Sequence, residues 1–314
     1  MTLPLMDIQT EKGLREALSY LESGKPDEAK KVLDTILMYN LESKELILSG
    51  KYCLFWSDAL LRLSDIEDSY ERGERLLAEW KNFLDFIRQQ QETYENAVYA
   101  ACRGVFRLAL YNYTRLLDER IPAQKAEILR KCGICYKKLG EFDNAKMCLS
   151  EANSLTAGQA AVIAELADCY ALCGDDKAAK VLFREAFFLD FKKIDLVFLD
   201  SELIRCLIEK TAEKGYSGEL LNAWIPVYGV LWGVFNMKRN MKSQEIGRLK
   251  QEIYALENEQ KDPSRATEIL TPRLINMYFW LIDYCQAQND SKLINETLLK
   301  IKILDTTVYN LYVK

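Results

Sequence analysis

AEILRKCGICYKKLGEFDNAKMCLSEANSL (126–155) laid over AAVIAELADCYALCGDDKAAKVLFREAFFL (160–189) aligns without a gap at an offset of 34 residues. Cys135 falls over Cys169, Tyr136 over Tyr170, Gly140 over Gly174, Ala145 over Ala179 and Ala152 over Ala186. A fixed period of this size, with a helical pattern, a Gly and a second helical pattern in each copy, is the signature of stacked helical hairpins. The residue types have physical roles. Small side chains stand where helices cross, Gly133 and Ala167 in the first helix and Ala145 and Ala179 in the second, so that two backbones can approach closely. Gly140 and Gly174 mark the stop of the first helix, at a position that wants φ > 0. Tyr136 and Tyr170 are large enough to fill the space between hairpins.

In order and period these residues resemble the tetratricopeptide repeat family, whose consensus places small, aromatic, Gly, Ala and Ala residues in the same succession. The resemblance is specific for 126–159 and 160–193 and extends to 10–43, where Ala17, Tyr20, Gly24, Ala29 and Leu33 stand in register. A degenerate copy lies at 275–308: Leu281, Ile282, Cys285, Leu298 and Ile301 hold the pattern, and Asn289 replaces the turn Gly, a substitution that left-handed backbone tolerates. The family's Pro at the hairpin end is replaced by Ala157 and Phe191. The resemblance implies an all-α fold, a right-handed α-α superhelix of about 12–15 helices. It also implies that 1–314 forms a single continuous solenoid.

The intervals 44–125 and 194–274 look helical without obeying the period, and read as longer, irregular hairpins. Ser43 can cap a helix to about Leu63, Asp68 with Glu71 can cap another to about Gln90, and a third spans roughly Tyr94 to Asp118. Further helices are predicted to end at Gly215 and to cover 218–238 and 243–260, with Asp262-Pro263 and Thr271-Pro272 as caps followed by a first-turn proline.

Composition agrees and prunes the chemistry. Of 314 residues 49% are hydrophobic and 28% charged, enough to bury a core, and 14 Gly with 6 Pro is sparse punctuation that favours long helices. The chain has no His, which removes His-based triads, His-ligated zinc and His general bases. Neither GxGxxG nor GxxxxGK[ST] is present, so the common phosphate-cradling loops are absent as well. A non-enzymatic protein with no cofactor and no metal is expected. The nine cysteines, an odd number from Cys53 to Cys285, read as reduced, buried thiols of a cytoplasmic protein. Cys132-Gly-Ile-Cys135 and Cys169-x3-Cys173 have zinc-like spacing, but repeat register puts them mid-helix among core positions. The stretch MTLPLMDIQTEK has no secretory pattern, and the longest apolar run, Ala223 to Phe235, is 13 residues with Pro226 inside, too short to span a bilayer. The formal charge of −5, with no long single-sign block, argues against nucleic acid as a partner, and Pro226 with the lack of a lipidation signal argues against a membrane surface.

A protein partner remains. The resemblance implies that four positions of each first helix line a concave groove: Glu11, Leu14, Leu18 and Leu21, then Glu127, Arg130, Ile134 and Lys137, then Ala161, Ala164, Asp168 and Ala171. None is Asn, unlike relatives that clamp a chaperone's C-terminal carboxylate. Arg130, Lys137 and neighbouring Lys138 can pair with an acidic ligand, and Glu127 and Asp168 complete this set. Trp224, Tyr228, Trp232 and Phe235 share one helical face, followed by Lys238, Arg239, Lys242, Arg248 and Lys250. Such a face is either core or an exposed aromatic patch, and Gly229-x3-Gly233 within it permits close helix contact. The expected function is that of a scaffold or adaptor receiving a partner's peptide or helix in the groove. The alternative is a regulatory or sensor protein touching nucleic acid or a membrane through 238–250.

Overall fold

The computed structural model describes residues 8–38, 43–262 and 267–314. Among the described residues it is all-α, with 15 helices and no strand, packed mainly between neighbours in sequence. The chain divides into two compact units, Met1–Leu155 and Thr156–Lys314.

The first unit contains α1 (Ile8–Glu22), α2 (Pro26–Leu37), α3 (Lys44–Arg62), α4 (Ser69–Arg88), α5 (Glu95–Thr114), α6 (Pro122–Lys138) and α7 (Phe142–Leu155). The hairpins α1/α2 and α6/α7 turn at Gly24 and Gly140, whose φ angles of +71° and +80° are the left-handed stops that the repeat pattern predicts. At the α6/α7 crossing a Cβ on Gly133 would stand 2.6 Å from Leu149 Cγ, which is why a small residue sits there. Ser43 caps α3 through the Leu46 N–H and Asp68 caps α4 through the Glu71 N–H, as their sequence positions predict. The third helix of this interval, α5, stops at Thr114 rather than Asp118, because 115–118 closes into turns with Leu116 N–H bonded to Tyr113 O.

Between α3 and α4 lies an aromatic slab: Tyr52, Phe55 and Trp56 meet Trp80, Phe83 and Phe86 at ring distances of 5.2–6.3 Å, and Trp80 passes the contact on to Phe106 of α5. Helix α5 packs on α1, α3, α4 and α6. Its inner face is made of Ala97, Ala100, Ala101, Gly104 and Ala109, small enough for close approach on several sides. Across α4, α5 and α6 runs a polar chain. Glu74 accepts from Tyr113 Oη at 2.6 Å and from Lys131 Nζ at 2.7 Å, while Glu127 is held by Arg130 through two bonds of 2.5 and 2.8 Å. Burial alone would raise the Glu127 pKa, but the Arg130 bonds and Lys131 nearby overcome it and hold the carboxyl below its ordinary range.

The second unit contains α8 (Ala160–Leu172), α9 (Asp176–Asp190), α10 (Glu202–Ala212), α11 (Gly218–Leu231), α12 (Ser243–Lys261), α13 (Leu270–Gln288), α14 (Ser291–Leu304) and α15 (Thr306–Tyr312). Gly174 at φ +83° stops α8, Gly215 at φ +90° follows α10, and Asn289 at φ +58° stops α13, the Asn acting in the place that the other hairpins give to Gly. The predicted helix 218–238 is shorter in the structure. Gly233 turns left-handed at φ +73°, and the Phe235 N–H returns to the Gly229 carbonyl at 2.8 Å. Phe235 thereby lies on Gly229, where a Cβ would come within 2.3 Å of its ring. Gly229-x3-Gly233 is therefore a helix stop with a ring folded onto it, not a helix-helix contact. Helix α13 begins at Leu270, so Pro272 occupies the third position of its first turn, where no intrahelical N–H is needed. Pro263 of the other predicted cap lies outside the described residues.

The core of this unit gathers Phe183, Phe187, Trp224, Ile225, Tyr278, Phe279 and Ile282. At its edge the Trp280 ring receives Phe188 at 4.5 Å, Arg184 at 4.8 Å and Arg239 at 5.5 Å, and Arg184 pairs with Asp283.

Two experiments test this packing. A Cβ on Gly104 would stand 2.2 Å from the Leu21 carbonyl oxygen, so Gly104→Ala should lower stability by about 1–3 kcal/mol in denaturant titration. Gly50, inside α3 with nothing within 4 Å of a Cβ, should gain about 0.5–1 kcal/mol on the same change. For the polar chain, Glu127→Gln should cost about 1 kcal/mol at pH 7. A lowered folded pKa stabilises above the unfolded value and is lost below it. The gap between wild type and Glu127→Gln should therefore close as pH falls from 4.5.

Candidate functional site

Of the residues that the sequence singles out, Glu127, Arg130, Lys137 and Lys138 lie on α6 in the first unit. Glu127 and Arg130 bind each other, and Ile134 and Lys137 are buried, Lys137 with only 3% of its surface exposed. In the second unit Ala164 and Asp168 of α8 are buried too. The two Asp168 carboxylate oxygens accept the backbone N–H groups of Asp200 and Ser201, each at 2.8 Å, and so anchor the start of α10. Ile134, Lys137, Ala164 and Asp168 are therefore interior residues, a correction to their expected place on an open groove.

The aromatic face of α11 is mostly core. Tyr216 stacks on Trp224 at 5.0 Å, Trp224 meets Tyr228 at 5.6 Å and Tyr228 stacks on Trp232 at 4.7 Å; Trp224 and Tyr228 are buried, whereas Trp232 is 37% exposed. Burial and a hydrogen bond with Tyr216 push the Tyr228 phenol well up. The basic stretch 238–250 is partly neutralised in place. Lys238 pairs with Asp283 at 2.8 Å, and Arg239 with Glu245 at 2.8 Å and Glu185 at 3.4 Å, leaving Lys242, Arg248 and Lys250 exposed. Cys132, Cys135 and Cys169 are buried and Cys173 is exposed. Burial pushes the Cys132 thiol up to about 12 and Cys135 well above its usual value, so both are protonated at neutral pH. Among the described residues no three His, Cys, Asp or Glu side chains are grouped to hold a metal ion.

A different surface of the first unit concentrates binding chemistry. Along α5 and its C-cap, Tyr99, Arg103, Arg107, Tyr111 and Arg115 recur at four-residue intervals, each step carrying the series further round the helix. Tyr99 and Tyr111 are 57% and 63% exposed, unusual for rings of this size. Arg103 lies 5.7 Å from the Tyr99 ring and donates to its Oη at 3.1 Å; Arg115 lies 5.7 Å from the Tyr111 ring. These contacts brace the arginine side chains against the neighbouring rings. Arg103 also reaches the Glu22 carboxylate at 3.5 Å, and Arg107 donates to the Glu22 carbonyl at 2.9 Å, tying the strip to the C-terminal end of α1.

Arg115 belongs at the same time to an open cleft of about 980 Å³ between the start of α4, the α5–α6 turn and the start of α6. Tyr70, Leu116 and Ile128 supply its apolar wall, and Arg120 is a second cation on its rim. Its lining also holds four carboxylates, Asp68, Asp118, Glu119 and Glu127, and all but Asp118 accept hydrogen bonds. Asp68 accepts from Glu71 N–H at 2.7 Å, Glu119 from the N–H groups of Arg120 and Ile121 at 2.7 and 2.8 Å, and Glu127 from Arg130. Among the described residues Arg107, Arg115 and Arg120 pair with no carboxylate. Burial, followed by nearby Glu74, pushes the Tyr70 phenol up to about 12, so it remains a hydrogen-bond donor.

From Tyr99 to Arg115 the strip runs about 24 Å along the helix. Tyr and Arg together offer large contact area and forked recognition of carboxylates, the combination that dominates protein interfaces. The sequence-based expectations pass over it because they read 44–125 only as irregular hairpins. Its signal is the four-residue spacing of Tyr and Arg in YAACRGVFRLALYNYTR (99–115). No family model matches this chain, and no curated protein matches it.

Proposed function

We propose that the chain is a tetratricopeptide-like hairpin protein that acts as a non-enzymatic scaffold or adaptor, and that it holds an acidic peptide or helix of a partner protein along the α5 strip and into the adjoining cleft. The observation that carries this reading is the Tyr-Arg strip, in which Arg107 and Arg115 are left without a carboxylate among the described residues, with Arg120 equally unpaired in the adjoining cleft. The hairpin part of the reading is supported by the left-handed stops at Gly24, Gly140 and Gly174, which recur at the same repeat position. The α5 strip takes over the role first assigned to the groove, since Lys137 and Asp168 are interior and Arg130 is bound to Glu127. The nine cysteines, six of them buried, support a reducing, cytoplasmic setting.

A helix matching the strip has about 16 residues. Labelled peptides of that length, one acidic and amphipathic and one with its acids replaced by Lys, should be titrated in fluorescence anisotropy beside a single-stranded oligonucleotide. The acidic peptide should bind and the basic one should not. Arg107→Glu with Arg115→Glu should weaken binding at least tenfold, about 1.4 kcal/mol or more. Lys242→Glu with Lys250→Glu should leave it unchanged. Equal affinity of wild type and the arginine variant would overturn the site, and tighter binding of the oligonucleotide would overturn the partner class.

A further inference from the structure

We propose that the chain pairs with a second copy of itself through the outer face of α3, the two helices running antiparallel about a two-fold axis at Leu54. The inner face of α3 is core, with Tyr52, Trp56 and Ala59 buried. The outer face carries Ile47, Leu54 and Leu61, which are 40%, 49% and 72% exposed. Single exposed leucines are ordinary. Three large aliphatic side chains at seven-residue intervals are a line about 21 Å long on one side of a helix, the pattern of a helix-pairing seam.

The charges within that line select the occupant. Lys51 and Asp58 stand between the aliphatic residues on the same face, both exposed. Lys51 reaches only the Gln90 amide oxygen, at 3.2 Å, and Asp58 pairs with no cation among the described residues. A two-fold axis at Leu54 sets each residue against the one equally far on the other side of Leu54 in the second copy. Ile47 then faces Leu61 of the other chain, Leu54 faces Leu54, and Lys51 comes within one residue of Asp58, giving two reciprocal ion pairs. Parallel pairing would set Lys51 on Lys51 and Asp58 on Asp58, which repel. Self-complementarity of this kind is what a two-fold interface demands. Gly50 lies at the height of the other chain's Asp58, and open space around it leaves room for the approaching backbone. A helix pair of this length buries less than the roughly 1,200 Å² of a stable interface, so the dimer forms as concentration rises.

Sedimentation equilibrium on the full chain, from about 5 to 500 μM, tests the pairing on the scale expected of a small interface. The weight-average mass should climb from the 36.3 kDa of one chain toward twice that value. Leu54→Glu sets two carboxylates on the axis and should hold the chain at the monomer mass, with circular dichroism unchanged because the side chain is on the surface. Lys51→Glu and Asp58→Lys should each weaken association about two- to tenfold, and the double exchange should restore it. A constant 36.3 kDa throughout, or a dimer indifferent to Leu54→Glu, would overturn the proposal. A double exchange no stronger than the single variants would overturn the antiparallel register. This surface is separate from the α5 strip, so peptide binding by a monomeric Leu54→Glu chain would leave the proposed function standing.

Discussion

Where α1 meets α5, the Leu21 carbonyl stands so near Gly104 that no side chain fits between them. That contact fixes more than two helices. It brings the last carbonyl of α1, Glu22, within 2.9 Å of Arg107 and the Glu22 carboxylate within 3.5 Å of Arg103. Each arginine then has one anchor on α1, and the tyrosines beside them are set at a defined height on α5. A larger residue at position 104 would push α1 away and remove the α1 anchor of each arginine. The outward chemistry of the strip therefore depends on an inward glycine. The same device recurs at Gly73 beneath the Tyr113 ring, at Gly133 beneath Leu149 and at Gly229 beneath Phe235, each serving one local approach.

These contacts also separate what the sequence reveals from what it conceals. Gly140, Gly174 and Asn289 could be placed as helix stops because the reason is local: a left-handed residue admits few side chains, and its position within the repeat is fixed by counting. Ser43 and Asp68 were legible as caps on the same ground, since the N–H that each receives lies three residues ahead. Asp168 was not. Its partners, the N–H groups of Asp200 and Ser201, are 32 and 33 residues away, and only tertiary structure brings them to it. The resemblance places Asp168 on a ligand-facing side, and a nearby chain segment takes the ligand's place.

Gly229 and Gly233 illustrate the opposite error. Their spacing is that of a helix contact, yet one has φ +73° and ends the helix while the other makes room for Phe235. Spacing alone does not distinguish a helix that continues from one that has stopped. The strip on α5 was legible in principle, because Tyr and Arg four residues apart are successive neighbours on a helix surface. It lay in an interval that does not follow the 34-residue period, and a search led by that period weighs small residues at crossings above large ones on the surface.

Net charge is a poor guide to what such a protein binds. The chain carries −5 overall, yet its cations sit in contrasting environments. Lys131 and Arg184 are buried, where an unpaired charge would be costly, and each is matched to a carboxylate, Glu74 and Asp283. Arg239 follows them, held by Glu185 and Glu245 and stacked on Trp280. Arg107, Arg115 and Arg120 stay in water, are braced by a carbonyl, a tyrosine ring or the rim of a cleft, and keep their full charge available. Within a Debye length of about 8 Å a ligand meets this local field and not the sum over the surface. Along the α5 strip that local field comes from Arg103, Arg107 and Arg115, and it is the ground of the proposal of an acidic partner for a molecule that is acidic as a whole.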